Sequence, residues 1–143
     1  MSLLDLSDKV AVVTGSSRGI GLAIAGKLAA HGANIVLCGR SDGSVINQVA
    51  ESMKQKFGVE TATCTGDIGL PETAQQIAKT AFSKFKRLDI LVNNAGVLQD
   101  GLIGMISDDD IENTLAANVK GVLYGIQSCA RLMERKEGGS IIN

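Results

Sequence analysis

The pattern of hydrophobic and polar residues changes repeatedly along the chain. Short segments with the pattern of a β-strand are followed by longer segments with the pattern of an α-helix. Residues 10–14 (VAVVT) are almost wholly apolar, which is typical of a strand buried on both faces. Between such runs, apolar residues recur every three or four positions, as in a helix with one buried face. Strands are predicted at residues 10–14, 35–38, 59–64, 88–92 and 140–143. Helices are predicted at residues 20–31, 45–57, 71–85 and 108–135.

The order of these elements predicts an α/β fold. Strands and helices alternate with short turns, and no linker, repeat or low-complexity stretch interrupts them, so we expect one domain over residues 1–143. Successive parallel strands are joined by right-handed crossovers. We therefore predict a Rossmann-like, doubly wound parallel sheet of five strands in the order 3-2-1-4-5, with the chain ending just after the fifth strand.

The longest predicted helix, 108–135, carries two further patterns. Ser107 followed by Asp110 resembles a capping box, which predicts the start of the helix. Small residues spaced by four form a stripe that would let another helix approach closely, either within the chain or from a partner. The small-residue stripe consists of Ala117, Gly121, Gly125 and Cys129.

Composition narrows the classes of function. Fourteen Lys and Arg against fifteen Asp and Glu give a net charge of −1, which argues against nucleic acid or an anionic membrane as the main partner. We see no membrane span and no secretory signal, and we expect a cytoplasmic protein. Cys38, Cys64 and Cys129 form neither a disulfide framework nor a metal motif. Three buried thiols are the preferred interpretation, and one reactive cysteine is the alternative.

A glycine-rich turn, residues 14–21 (TGSSRGIG), lies between the first strand and the first helix. This is where a dinucleotide pyrophosphate binds in βαβ units, because the helix N-terminus offers free N–H donors and partial positive charge. Gly15 would make the turn, Gly19 would bring backbone near the phosphates, and Gly21 would let the helix pack on the strand. The alternative is a turn without a ligand.

The end of the second strand indicates which cofactor is bound. A carboxylate there would bind the ribose 2′-hydroxyl of NAD, but this chain has Arg40. Arg40, together with Arg18 in the glycine turn, could pair with a 2′-phosphate, which favours NADP over NAD. Asp42 keeps NAD as the less favoured alternative, and a solvated surface charge is the alternative for each arginine.

Four segments occur in a recognisable order: the glycine turn, Asp67 after the third strand, the sequence NNAG at residues 93–96, and Asn118 in the long helix. Together they resemble the short-chain dehydrogenases/reductases, and among these most of all the 3-oxoacyl-acyl-carrier-protein reductases. The resemblance implies an oxidoreductase that transfers hydride between NADP(H) and a ketone, 3-oxoacyl or alcohol substrate. It also implies a homo-oligomer that assembles through the 108–135 helix.

The resemblance further implies roles for individual residues. Asn118 would be the one member of the catalytic set that is present, holding a water that passes protons to the active site. Its spacing from Ile111 and Leu115 places the amide on an apolar face, where it would be buried and need partners. An amide satisfied only by backbone is the alternative. The predicted cofactor-binding residues are Gly15, Ser17, Arg18, Gly19, Ile20, Gly21, Arg40, Asp67, Ile68, Asn94, Ala95 and Gly96. Simple turn roles are the alternative for Asp67 and the NNAG segment.

The family's serine and YxxxK residues are missing from these 143 residues. The single tyrosine, Tyr124, is followed four residues later by Ser128 instead of lysine, so it does not match the family's tyrosine. We therefore expect the chain to be the cofactor-binding part of a longer enzyme and to show no reductase activity alone. A non-catalytic nucleotide-binding or interaction module that acts through a full-length partner is the alternative.

Overall fold

Five parallel strands form one sheet in the computed structural model, which describes residues 4–41, 43–136 and 138–143. The strands are β1 (Val10–Val13), β2 (Asn34–Gly39), β3 (Thr61–Thr65), β4 (Ile90–Val92) and β5 (Ser140–Ile142). Their order across the sheet is β3-β2-β1-β4-β5, and every neighbouring pair is parallel. The predicted fold class and strand order are confirmed. β3 and β4 each begin two residues later than the sequence pattern suggests.

Helices connect the strands along the chain. They are α1 (Gly19–Ala30), α2 (Gly43–Phe57), α3 (Pro71–Phe85), α4 (Asp108–Leu115) and α5 (Gly121–Glu134). The capping box at the start of α4 is confirmed, because the Ser107 hydroxyl accepts from Asp110 N–H while the Asp110 carboxylate accepts from Ser107 N–H. Within the described ranges, no helix has the length and apolar character needed to cross a bilayer.

The predicted uninterrupted helix 108–135 is wrong in one respect. A π-helical turn, Ala116–Lys120, joins α4 to α5. A π-turn closes its hydrogen bonds one residue later than an α-helix, and such turns are frequent at functional sites. Apolar periodicity assumes regular α-helical spacing, so it carries no signal for this extra residue. The turn contains Asn118, whose surroundings are described below.

Two hydrophobic layers cover the sheet, one on each face. Alternate residues of β1 point to opposite layers, with Ala11 and Val13 on the side of α1 and α2. Val10 and Val12 pack on the other side with buried residues of α3 and α5. All four residues of β1 are almost completely buried, so the prediction of a strand buried on both faces is confirmed.

The small-residue stripe of the long helix faces the interior of this chain. Gly121 lies against Ile68, Gly125 lies against Asn93, and Cys129 is fully buried between the sheet and α3. The alternative of packing within the chain is therefore the one observed. The stripe does not serve as a surface for a partner's helix, because the chain's own loop and strand residues occupy the space beside its glycines.

A buried carboxylate joins the strands at the edge opposite the glycine turn. Asp89, just before β4, accepts from Val10 N–H at 2.9 Å and from both Arg87 Nε and Nη2. Its backbone also bonds to Val10 and Ser140. Burial alone would raise the pKa of the Asp89 carboxyl, but its hydrogen bonds to Arg87 and Val10 and the charges of Arg87 and Lys9 lower it overall. Asp89 is therefore ionised and stabilises the packing of β1, β4 and β5.

Candidate functional site

A cleft of about 810 Å³ opens at the carboxyl ends of the strands. In doubly wound sheets, ligands bind at this edge. All twelve predicted cofactor-binding residues line this one cleft. They are Gly15, Ser17, Arg18, Gly19, Ile20, Gly21, Arg40, Asp67, Ile68, Asn94, Ala95 and Gly96. The structure thus brings together residues from four separate segments of the chain.

The glycine turn has the backbone geometry that its sequence suggests. Gly15 and Gly19 have φ values of +64° and +59°, in the left-handed region that favours glycine. Gly19 faces open space, since no atom lies within 4 Å of the position a Cβ would take. Gly21 is buried, and a Cβ there would overlap the Gly15 carbonyl oxygen. Gly21 therefore lets α1 start directly against the turn.

The N-terminus of α1 is open to an anion. Arg18 at the N-cap position makes no side-chain capping bond, and no acidic residue occupies the first turn. The first backbone N–H groups of a helix have no intrahelical acceptor, and the helix dipole adds partial positive charge there. The turn and helix start together match a phosphate-binding site, because Gly19 leaves room for close approach.

Thr14 and Asn94 connect the glycine turn to the segment after β4. Thr14 Oγ1 accepts from the backbone N–H groups of Asn94 and Ala95 at 3.0 and 2.9 Å. The Asn94 side-chain amide donates to the carbonyl oxygens of Thr14 and Gly15 at 3.0 and 3.2 Å. Asn94 thus holds the turn in place through its side chain. Thr14 was not among the predicted site residues, and only its position next to Gly15 could have suggested its role.

Ser16 connects the same turn to the end of β2. Its hydroxyl accepts from Cys38 N–H at 2.9 Å, and its own N–H donates to the Cys38 carbonyl at 2.9 Å. Ser16 is completely buried. This pair of bonds fixes the distance between the glycine turn and Arg40, two residues beyond Cys38. Sequence reasoning missed Ser16, because its partner is a backbone group 22 residues away.

Arg18 and Arg40 are both exposed and line the cleft from the glycine turn and the end of β2. Among the described residues, neither arginine forms an ion pair with a carboxylate. Two guanidinium groups without an internal counter-charge provide a site for an anion at this end of the cleft. Asp42, the residue that would favour NAD, lies outside the described residues.

Asp67 and Ile68 line the cleft from the loop between β3 and α3. The Asp67 carboxylate accepts from Gly69 N–H at 2.8 Å and so closes a turn. The turn role considered for Asp67 is present in the structure. A carboxylate has two oxygens and several lone pairs, so this one bond leaves Asp67 the capacity to accept from a ligand.

Asn118 does not line the cleft but bonds to a segment that does. Its Oδ1 accepts from Val97 N–H at 2.8 Å, and its Nδ2 donates to the Val97 carbonyl at 2.8 Å. The expected burial of Asn118 is wrong, because the residue is exposed, as are Ile111 and Leu115. The helix buries its small-residue stripe instead, since only small side chains allow close packing on Ile68 and Asn93.

The cysteines are buried, as preferred from the sequence. Cys38 and Cys64 are register partners on β2 and β3 and line the cleft. Burial raises the pKa of the Cys38 thiol well above its usual value, and the neighbouring Cys64 and Cys129 raise it further. Burial also raises the pKa of Cys64, and it raises that of Cys129 to about 12. All three groups are therefore thiols at neutral pH, which is unfavourable for nucleophilic chemistry.

Comparison with known proteins matches this architecture. The family model described as short chain dehydrogenase matches residues 9–143. The 3-oxoacyl-[acyl-carrier-protein] reductase of Staphylococcus epidermidis is 35% identical over 136 residues, which are 95% of this chain and 55% of that protein. The corresponding reductase of Aquifex aeolicus is 36% identical over 140 residues, which are 98% of this chain and 56% of that protein.

Two solved structures are similar to this chain in both fold and sequence. The L-sorbose reductase of Gluconobacter frateurii, complexed with NADPH and L-sorbose, superposes with a TM-score of 0.93 at 36% identity, covering 96% of this chain and 52% of that one. A short chain dehydrogenase of Burkholderia cenocepacia in complex with NADP has a TM-score of 0.84 at 35% identity, covering 89% and 51%. The chain spans about half the length of the relatives it matches. With a family match over nearly all of its residues, the chain belongs to the short-chain dehydrogenase family.

Proposed function

We propose that this chain is the cofactor-binding part of an NADP-dependent short-chain oxidoreductase. The main support for this proposal is that Arg18 and Arg40 both line the cleft, and that neither forms an ion pair with a carboxylate among the described residues. A 2′-phosphate is the group that distinguishes NADP from NAD, and it needs such cations. The two solved relatives complexed with NADPH and with NADP support this choice of cofactor.

The proposed orientation of the cofactor follows from the positions of the other lining residues. The pyrophosphate would lie at the glycine turn, against Gly15, Ser17, Gly19, Ile20 and Gly21, where the α1 N-terminus offers free N–H groups. The adenine would contact Asp67 and Ile68 at the end of β3. The ribose beside the nicotinamide would contact the remaining predicted residues. These are Asn94, Ala95 and Gly96.

The proposed reaction is reduction of a ketone or 3-oxoacyl thioester, or oxidation of the matching alcohol. Bound NADPH would supply the hydride for reduction, and bound NADP+ would accept it in oxidation of the alcohol. The family resemblance assigns Asn118 the role of holding a water beside the cleft. Beyond its two bonds to Val97, its amide retains one N–H and one lone pair, which is enough to hold that water. Tyr124 lies on α5 and is followed four residues later by Ser128 instead of lysine, so we assign it no part in the reaction. We predict that the 143-residue chain alone does not turn over NADPH.

We also propose that the full protein is a homo-oligomer that assembles through the 108–135 helix. The small-residue stripe is occupied within the chain, so the surface offered to a partner is the opposite, exposed apolar row. Leu115, Val119 and Leu123 on this row are 43%, 50% and 55% exposed. Apolar side chains grouped on one face of a helix commonly mark an interaction surface.

Substitution Arg40→Ala tests the cofactor assignment. Loss of a charge-assisted contact costs about 1.5–3 kcal/mol, which corresponds to roughly a 10- to 150-fold loss of affinity. We expect this loss for NADPH and less than about a threefold change for NADH, both measured by titration calorimetry. Arg131→Ala is the matched control, because Arg131 is an exposed arginine of α5 that does not line the cleft. Equal losses for both nucleotides would mean that Arg40 does not bind the 2′-phosphate.

A further inference from the structure

Gly121, the first residue of α5, lies directly against the loop that carries Asp67 and Ile68. A Cβ on Gly121 would lie 2.8 Å from the Ile68 carbonyl oxygen and 3.3 Å from its carbonyl carbon. The backbone of Gly121 has ordinary helical angles, φ −59° and ψ −40°, which any residue adopts. Glycine is a poor helix former, so its presence here is explained by the contact with a backbone oxygen that cannot rotate away.

The same loop has a second contact with the helix, five residues earlier. A Cβ on Gly69 would lie 3.0 Å from the Ala116 Cβ, so the Ala116 methyl group lies against the backbone of Gly69. Gly69 N–H in turn donates to the Asp67 carboxylate. The loop 67–69 therefore rests on the helix at both ends of the π-helical turn, at Ala116 and at Gly121.

The π-helical turn also supports the other end of the cleft. Asn118 lies between Ala116 and Gly121 in sequence, and its amide pairs with the Val97 backbone next to the NNAG segment. One helical segment, 116–121, thus contacts the β3–α3 loop on one side and the segment after β4 on the other. Both of these segments line the cleft.

We propose that Gly121 is a positioning residue for the adenine end of the cofactor site, acting through the Ile68 carbonyl. The inference rests on the proposed function, because it assumes that adenosine binds between Asp67, Ile68 and Arg40. A side chain at position 121 displaces Ile68 outward and with it the Asp67 carboxylate. The Ala116 methyl group sets the position of the same loop at Gly69.

Gly125 offers a matched control on the same helix. It is four residues further along the small-residue stripe, is likewise buried, and does not line the cleft. A Cβ there would lie 2.7 Å from Asn93 Oδ1, a side-chain atom, whereas the contact of Gly121 is with backbone. Gly121→Ala and Gly125→Ala make the same change in helix propensity and both bring a Cβ within 3 Å of an oxygen, but only Gly121→Ala meets a fixed backbone atom, and only that atom belongs to the adenine loop.

The experiment compares both variants with the unmodified chain, using adenosine 2′,5′-bisphosphate as the probe. Affinity is measured by calorimetry, and local opening by amide hydrogen exchange at residues 68–70. We expect Gly121→Ala to weaken the bisphosphate at least tenfold and to speed exchange in the loop, while exchange in β1 stays within about twofold. Gly125→Ala should change the affinity less than about threefold. A folded Gly121→Ala protein with unchanged affinity overturns the proposal.

If Gly121→Ala does not fold, Ala116→Gly decides the question, because it removes a contact without adding one. We expect faster exchange at residues 68–70 and roughly threefold weaker bisphosphate binding, and unchanged values for both would overturn the proposal. Binding to the unmodified chain separates this inference from the proposed function. If the unmodified chain fails to bind the bisphosphate, the cofactor assignment itself is wrong and the inference falls with it.

Discussion

Thr14 and Ser16 hold the glycine turn through hydroxyl groups that point into the protein. Thr14 Oγ1 accepts hydrogen bonds from two backbone N–H groups of the segment after β4. The Ser16 hydroxyl accepts a hydrogen bond from the backbone at the end of β2. A sequence pattern shows the glycines of this turn, because glycine is needed where φ is positive. It does not show which of several small polar residues faces inward, since that depends on strands that are distant in sequence. The location of Arg18 and Arg40 at the cleft, in contrast, was predictable from their places beside the turn and the strand end, and their contact with a phosphate stays a prediction.

The burial of the three cysteine thiols predicts their reactivity. Cys38, Cys64 and Cys129 are 5%, 6% and 0% exposed, and the pKa of each is raised by burial. In the folded protein at pH 8, we expect none of the three thiols to react with Ellman's reagent within minutes, and all three to react after unfolding in guanidinium chloride. Rapid release of one equivalent from the folded protein would support the reactive-cysteine alternative instead.

The sequence pattern predicts the start of the long helix but not the face that it buries. Its start was predictable, because the Ser107 and Asp110 capping box depends on residues only three apart. Its buried face was not, because Ile111 and Leu115 are larger and more apolar than the residues that the fold buries. Gly121 and Gly125 occupy the interior because a Cβ there would lie 2.8 Å from the Ile68 carbonyl oxygen and 2.7 Å from Asn93 Oδ1. That contact, like the π-helical turn, follows from tertiary packing.

Asp89 gives a prediction for the packing of three strands. Asp89→Asn removes the charge that Arg87 and the Val10 N–H stabilise, and we expect the free energy of unfolding at pH 7 to fall by about 1–3 kcal/mol. Because the folded-state pKa of Asp89 lies below its unfolded value, this stabilisation is present above about pH 4 and is lost as the pH falls further. The difference between the two proteins in urea unfolding should therefore shrink towards pH 3.

The control for this measurement is Asp100→Asn, which changes an exposed carboxylate in the segment before α4. Exposed substitutions of this kind usually alter stability by less than about 0.5 kcal/mol. A loss in Asp89→Asn that is equally large at pH 7 and pH 3 would show that the stabilisation does not come from the ionised carboxylate.

For the molecule as a whole, sheet order and the position of the cleft followed from sequence. Each strand is a short apolar run, and alternation with helices leaves few arrangements for a parallel sheet. The same rule places Gly15, Arg40, Asp67 and Asn94 at one edge, because the carboxyl ends of parallel strands meet there. The substrate was not predictable, since the chain spans about half the length of its relatives.

We infer that the cleft at the carboxyl edge of the sheet binds NADP in preference to NAD. The most direct measurement is the affinity of the purified, unmodified protein for NADPH and for NADH, determined by titration calorimetry at the same ionic strength. Because Arg18 and Arg40 would contact the 2′-phosphate that only NADPH carries, we expect NADPH to bind at least about tenfold more tightly than NADH. Equal affinities, tighter binding of NADH, or binding of neither nucleotide would contradict it.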